Sequence, residues 1–288
     1  MEHELFAVVT PPVWLPQFKY PPGRLLRFFL GLKPLSAGPL RDRLEASARR
    51  LGFHFSDVLV WHTRNLFANA MVTGLVPWLR YVVLTDRLID ELTPDEIEAV
   101  FGHEVGHIKH HHLIFYLIFF LTSFIMLSMA WNTLREFVKQ DDIKAAILEL
   151  PYVGEDIWEL LRTLSSWGQL LLLAGYTLLC FGFISRRCER QADLYGAKTV
   201  STDAFISALE KVAAINGIPR HRSGNWLVSW QHPTIAQRVD FLEQMRAHPE
   251  LIPNFHLGVH LIQLGFLGLL ASILWYYQLP ELLNVLMK

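Results

Sequence analysis

Apolar and polar positions alternate in short patterned segments, which are interrupted by three long, uniformly apolar ones. From Pro39 to Leu51, Leu40, Leu44, Ala48 and Leu51 share one face against Arg41, Arg43, Glu45 and Arg49, which predicts an amphipathic helix. Phe53–Trp61 and Tyr81–Thr85 are rich in β-branched and aromatic residues, and Asn69-Ala-Met-Val-Thr-Gly74 reads as a strand and turn. Together they predict a small antiparallel sheet. Thr93-Pro-Asp-Glu96 has an N-cap threonine, a proline at the first helical position and a glutamate at the third, so a helix begins there. No breaker follows until well beyond residue 130, and this helix is expected to run straight through His112 into apolar sequence. Asp203–Ile215 and Gln237–Met245 predict two further amphipathic helices.

The three apolar segments are Leu113–Leu134, Ser165–Ser185 and Leu257–Leu279, none of which holds a formally charged residue. Each is long enough to cross a hydrocarbon core of roughly 30 Å at about 1.5 Å per residue. Gly168, Gly175 and Gly182 give the second small packing positions, and Trp275, Tyr276 and Tyr277 give the third an aromatic end suited to headgroup level. The competing reading of each is a buried core helix. Composition favours the membrane: the chain is 52% hydrophobic over 288 residues, with a mean hydropathy of +0.26. The expected fold class is therefore mainly α with a small antiparallel sheet and about three transmembrane helices.

Charge sets the expected orientation. The stretch 135–166 carries four basic against seven acidic side chains, while Lys109, Arg186, Arg187 and Arg190 flank the opposite ends of the first two spans. Basic residues gather on the cytoplasmic side, so residues before 113 and after 185 should face the cytoplasm. The expected division is an N-terminal juxtamembrane or amphipathic segment 1–50, and a cytoplasmic domain of 51–112 and 185–246. A membrane hairpin 113–184 with an acidic extracytoplasmic loop 135–164 interrupts that domain, and a C-terminal span 257–279 follows it. Prolines break residues 1–38, where no signal peptide is read, and Gly23–Leu32 is expected to lie on the membrane surface or to dock on the folded domain. A net charge of −1 suggests no nucleic-acid partner.

Against this frame one motif carries chemistry. In His103-Glu-Val-Gly-His107 the two histidines stand at i and i+4 of the predicted helix, so both imidazoles project from one face and can grip one Zn²⁺ per chain. Glu104 points to the side, where it can take a proton from water. The bland alternative is a pair of surface histidines on a polar face. Ser185-Arg-Arg-Cys-Glu-Arg-Gln-Ala-Asp193 leaves the membrane on the same side, with Glu189 and Asp193 again at i and i+4. Glu189 would complete a His₂Glu set with one position open, and Asp193 would accept a hydrogen bond from a ligand imidazole. The alternative is a solvated face paired with Arg186, Arg187 and Arg190. Cys188 is a second candidate ligand, although the two cysteines, Cys180 and Cys188, form no disulfide framework. His110, His111 and His112 are expected to decorate the end of the helix. A third histidine of the metzincin kind would fall at 113, which is Leu113.

His103–His107, a membrane hairpin and then Ser185–Asp193 resemble the integral-membrane gluzincins, the family of the HtpX heat-shock protease and the CAAX prenyl proteases. The resemblance runs from about residue 50 to 245. It includes Asn69-Ala-Met, similar to the family's Asn-Ala-Phe edge strand, and Gln231-His-Pro-Thr-Ile-Ala-Gln-Arg238, similar to its His-Pro followed by Arg. It implies a zincin-like catalytic domain, metal ligands His103, His107 and Glu189, the base Glu104, and His232 and Arg238 near the substrate or transition state. An extended substrate would add as a strand beside Asn69, Ala70 and Met71, unless these form only a structural hairpin. The implied activity is a zinc-dependent endopeptidase of the HtpX type acting on membrane-associated or misfolded proteins. Alternatives are a processing peptidase of the CAAX prenyl type and a metal-binding scaffold that does not cleave. Residues 1–50 supply no span of the kind HtpX-type proteins carry there, and three helices do not build the large chamber of the prenyl proteases.

Overall fold

The computed structural model describes residues 30–138, 141–221 and 232–277; most of the N-terminal segment, including residues 23–29, and Gln231, Gln278 and Leu279 lie outside them. The chain divides into two units at Glu91.

The first unit holds a four-stranded sheet, with strands β1 (Lys33–Pro34), β2 (Asp57–Trp61), β3 (Ala70–Thr73) and β4 (Tyr81–Thr85) in the spatial order β1-β2-β4-β3. The amphipathic helix α1 (Pro39–Arg50) and the short α2 (Asp86–Glu91) complete it. The sheet is mixed and not wholly antiparallel. β3 pairs antiparallel with β4, but β2 pairs parallel with β4 from Asp57↔Tyr81 to Trp61↔Thr85. Burial explains the order: all five residues of β4 are buried, so it takes a central position with a neighbour on each side, and the less buried β3 falls at the edge. Gly74, at φ +92°, makes the turn after β3, where a Cβ would meet the Leu79 carbonyl oxygen at 2.2 Å.

In the second unit α3 (Pro94–Lys109) starts as the sequence predicts. The Thr93 hydroxyl accepts from the Glu96 amide, and the Glu96 carboxylate accepts from the Thr93 amide. Its C-terminus departs from expectation. The helix stops at Lys109, His111 takes a left-handed conformation at φ +56°, and a separate helix α4 (His112–Val138) enters the apolar stretch. The polar connection is also more ordered than a loop: α5 (Asp141–Leu148) lies within it, and α6 (Gly154–Tyr176) begins well before the apolar run. A π-helical turn (Thr177–Phe181) joins α6 to α7 (Gly182–Thr199), so one rod carries the chain back. The amphipathic helices α8 (Thr202–Ile215) and α9 (Ile235–Ala247) and the long apolar α10 (Ile252–Tyr277) follow.

Three helical stretches are long and apolar enough to cross a membrane: His112–Phe137, Trp167–Thr199 and Pro249–Tyr276. They make the chain an integral membrane protein. Phe115 and Phe119 of α4 meet Phe181, Ile184 and Cys188 of the returning rod, with Ile262 and Phe266 of α10 packed on the same cluster. The outward side chains Leu113, Leu117, Leu121, Phe124, Leu170, Leu171, Leu261 and Leu264 remain exposed, as a lipid-facing surface requires. Glycines let α3 and α7 approach closely: a Cβ on Gly102 would strike the Thr199 side chain at 2.2 Å, and one on Gly196 would lie 2.9 Å from the Ala99 carbonyl.

Candidate metal centre

The close contact of α3 with α7 assembles the site. His103 and His107 face α7 from successive turns of α3, and Glu189 and Asp193 face back from successive turns of α7. His103 Nε2 lies 3.2 Å from His107 Nε2 and 3.8 Å from Glu189 Oε2, and His107 Nε2 lies 3.6 Å from Glu189 Oε1. The three residues are the one group among the described residues that brings enough donors together for a metal ion. Donors bound at about 2.0–2.1 Å in a tetrahedron stand roughly 3.4 Å apart, so the observed spacings fit a zinc-sized ion without rearrangement. Two imidazoles and one carboxylate are also the donor chemistry of a site that keeps a position open.

Burial prepares these groups. Desolvation, and then the neighbouring His103, push the pKa of His107 down to about 3, so its imidazole is neutral and its lone pair available. Burial also disfavours a charge on His103, but the adjacent Asp193 carboxylate outweighs this and raises its pKa. Asp193, fully buried, lies 3.0 Å from His103 Nδ1, the nitrogen that faces away from the other donors.

The structure brings most of the sequence-predicted residues to this place. Glu104 is half-buried on α3 beside His103, within electrostatic reach of Arg238. His232 Nδ1 approaches Glu189 Oε1 to 3.3 Å, with 59% of its side chain exposed. Arg238, on α9, directs its guanidinium onto Asp193. Within the first unit, the Asn69 carbonyl accepts from the Thr85 amide and the Asn69 amide donates to Thr85 Oγ1, and Ala70 and Met71 lie in β3 at the sheet edge. Cys188 is no part of the donor group; it is buried in the aromatic cluster between the spans. The structure corrects the reading of the trailing histidines, because His112 does not decorate a helix end. It is 1% exposed, with its Nδ1 2.9 Å from His107 Nδ1 and its Nε2 3.0 Å from Gln191 Oε1. Spacing gave no hint of the link to Gln191, which is 79 residues away.

Two histidines a turn apart, a facing carboxylate and an intervening glutamate form a donor set of the metallopeptidase type. Residues 34–246 match the model of peptidase family M48, and the chain belongs to that family of metalloproteases. It is 26% identical over 236 residues to CAAX prenyl protease 1 of Saccharomyces cerevisiae, across 76% of this chain and 51% of that protein. Protease HtpX of Stutzerimonas stutzeri is 26% identical over 225 residues, across 71% of this chain and 72% of the relative. Protease HtpX of Pasteurella multocida is 27% identical over 229 residues, across 72% of each. The crystal structure of Saccharomyces mikatae Ste24p shares the fold, with a TM-score of 0.54 and 24% identity over 76% of this chain and 52% of that one. The chain thus spans about half the length of the yeast protease and of the Ste24p chain.

Proposed function

We propose that the protein is a membrane-bound, zinc-dependent endopeptidase that cleaves membrane-associated or misfolded proteins, with His103, His107 and Glu189 holding one Zn²⁺. The observation that carries this reading is the convergence of those three donors at zinc spacing, with Glu104 on the next residue of the same helix. Zinc bound there would polarise the scissile carbonyl and make a water acidic enough to attack at neutral pH. Glu104 takes the proton of the attacking water and delivers it to the amine as the C–N bond breaks. His232, largely exposed beside Glu189, is placed in this reading to donate to the oxyanion, and Arg238 adds positive charge from behind Asp193. Asp193 holds the His103 ring.

An extended substrate segment would add alongside Asn69, Ala70 and Met71 at β3, the outermost strand of the sheet among the described residues. The catalytic domain in this reading comprises 51–112 and 185–246, on the cytoplasmic side, as the basic residues flanking the first two spans support. Likeness to CAAX prenyl protease 1 favours a second reading with equal sequence identity, a peptidase that trims a prenylated tail.

The test uses the full chain, purified in detergent with zinc, against an unfolded membrane protein and a prenylated peptide, with Glu104→Gln as control. Cleavage of the unfolded protein by wild type alone is expected. Preference for the prenylated peptide would support the second reading. Stoichiometric zinc with wild type as inert as Glu104→Gln on both substrates would overturn both and leave a metal-binding scaffold.

A further inference from the structure

His107 turns Nε2 towards His103 and Glu189, so its other nitrogen must be satisfied elsewhere. That nitrogen begins a line of short contacts through buried side chains. His107 Nδ1 stands 2.9 Å from His112 Nδ1, His112 Nε2 3.0 Å from Gln191 Oε1, and Gln191 Nε2 2.8 Å from His256 Nδ1. His112 and Gln191 are 1% and 0% exposed, so their polar atoms depend on these partners.

With the Gln191 amide oxygen turned to His112 and its nitrogen to His256, the line has one direction. An amide oxygen only accepts, so His112 must carry its proton on Nε2 to donate to Gln191. A neutral imidazole protonated there has an acceptor at Nδ1, so the proton in the first contact must sit on His107 Nδ1. That tautomer leaves the His107 Nε2 lone pair facing the other two metal donors. At the far end the Gln191 amide donates to His256 Nδ1, which places the remaining proton of His256 on Nε2. Turning the Gln191 amide round would reverse the whole line and put the His107 proton on Nε2, among the other metal donors, so the role of His107 as a ligand selects this direction. Asp193 meets the outer nitrogen of His103, and this neutral imidazole–amide–imidazole line meets that of His107.

The anchoring residues come from three elements. His112 opens α4, Gln191 lies on α7 two residues after Glu189, and His256 belongs to α10, whose apolar window is only 6% buried. The third membrane helix therefore reaches the metal centre through a hydrogen bond and not only through packing.

We propose that His112, Gln191 and His256 are positioning residues that select the Nδ1–H tautomer of His107, fix its ring for the metal, and couple the third membrane helix to the metal centre. This rests on the reading of His107 as a ligand. The effect is on metal affinity, since partners behind a ligand imidazole typically contribute about 10–100-fold to it.

The test measures Zn²⁺ affinity by chelator competition on the full chain in detergent, with the absorption spectrum of the Co²⁺-loaded protein and ¹⁵N-histidine NMR as further readouts. His112→Phe is expected to weaken Zn²⁺ binding by about 10–100-fold and to alter the Co²⁺ spectrum. His112→Asn, whose amide oxygen reaches the place of Nδ1, should restore most of the loss. Gln191→Leu and His256→Phe should weaken binding progressively less. Helicity of each metal-free variant, measured by circular dichroism, separates loss of positioning from loss of fold. Unchanged affinity and spectrum in His112→Phe, or His112→Asn as weak as His112→Phe, would overturn the proposal, as would Gln191→Leu and His256→Phe both binding like wild type. If His107→Ala also binds Zn²⁺ normally, it is the metal-centre reading that fails.

Discussion

Arg238 grips Asp193 with two arms of its guanidinium, Nε standing 2.9 Å from Oδ2 while the second arm meets Oδ1, and that same Oδ1 faces His103 Nδ1. One buried carboxylate thus joins α9 to the imidazole of the motif helix. Shut off from solvent, Asp193 depends on both partners for its charge.

Arg238→Leu leaves that carboxylate buried and unpaired, and is expected to destabilise the metal-free protein by about 3–5 kcal/mol. Asp193→Asn leaves the buried Arg238 guanidinium without its counter-charge and should cost a similar amount, while also weakening zinc binding through His103. Thermal unfolding with and without zinc, beside chelator competition, separates the two effects. Equal stability of Arg238→Leu and wild type would show that the pair does not hold the site together.

Gly106 lies within the motif, where an added Cβ would stand 2.8 Å from the Tyr195 Cβ and 3.1 Å from the Ala192 Cα. Alanine would favour the helix by about 1 kcal/mol. Overpacking at such a contact costs about 1–3 kcal/mol and would push α3 off α7. Gly106→Ala is therefore expected to lower both the melting temperature and zinc affinity, because the donors belong to the two helices being separated. A gain in melting temperature would mean that propensity wins.

Glu96 provides a pH prediction. Burial alone would raise its pKa, but Lys211, Ser207 and the Thr93 cap bring it from 4.5 down to about 2. A carboxylate depressed on folding stabilises the fold above its unfolded pKa and loses that contribution as pH falls towards its folded one. Glu96→Gln should cost about 2 kcal/mol at pH 7. The gap from wild type should narrow below about pH 4.5 and close near pH 2. Urea unfolding over a pH series checks this, and a gap that stays constant from pH 7 to 3 would contradict it.

Cys188→Ala should bind zinc with unchanged stoichiometry, since the thiol packs among Phe115, Phe119, Phe181 and Ile184. Only a stability loss of about 1 kcal/mol is expected. Metal analysis of the purified variant decides it.

Much of this arrangement is legible in residue spacing because helices are periodic. The i, i+4 pairs His103/His107 and Glu189/Asp193 put each pair on one face before any partner is known, and the Thr93 box marks where α3 begins. Tyr81–Thr85 is legible as a strand, but its parallel partner is not, because pairing order depends on which strand takes the buried centre. The break at His111 is not legible in the sequence because no proline or glycine announces it; a histidine adopts the left-handed turn instead. The line from His112 to His256 joins positions 79 and 65 residues apart in two steps, and no local pattern encodes such a contact.

The π-helical turn at Thr177–Phe181 governs how this chain tolerates changes in length. Residues added between α4 and α6 alter a connection remote from the metal donors and leave the phase of α7 intact. The wider turn can give up its one extra residue and revert to α-helix with little change of phase, whereas loss of a single residue from the regular helix between Gly182 and Cys188 would turn everything beyond it by roughly 100°. Glu189 and Asp193 would then swing away from α3, although every residue of both motifs was still present. In the returning rod, the count of residues between bilayer and motif is therefore as much a part of the centre as the motif itself.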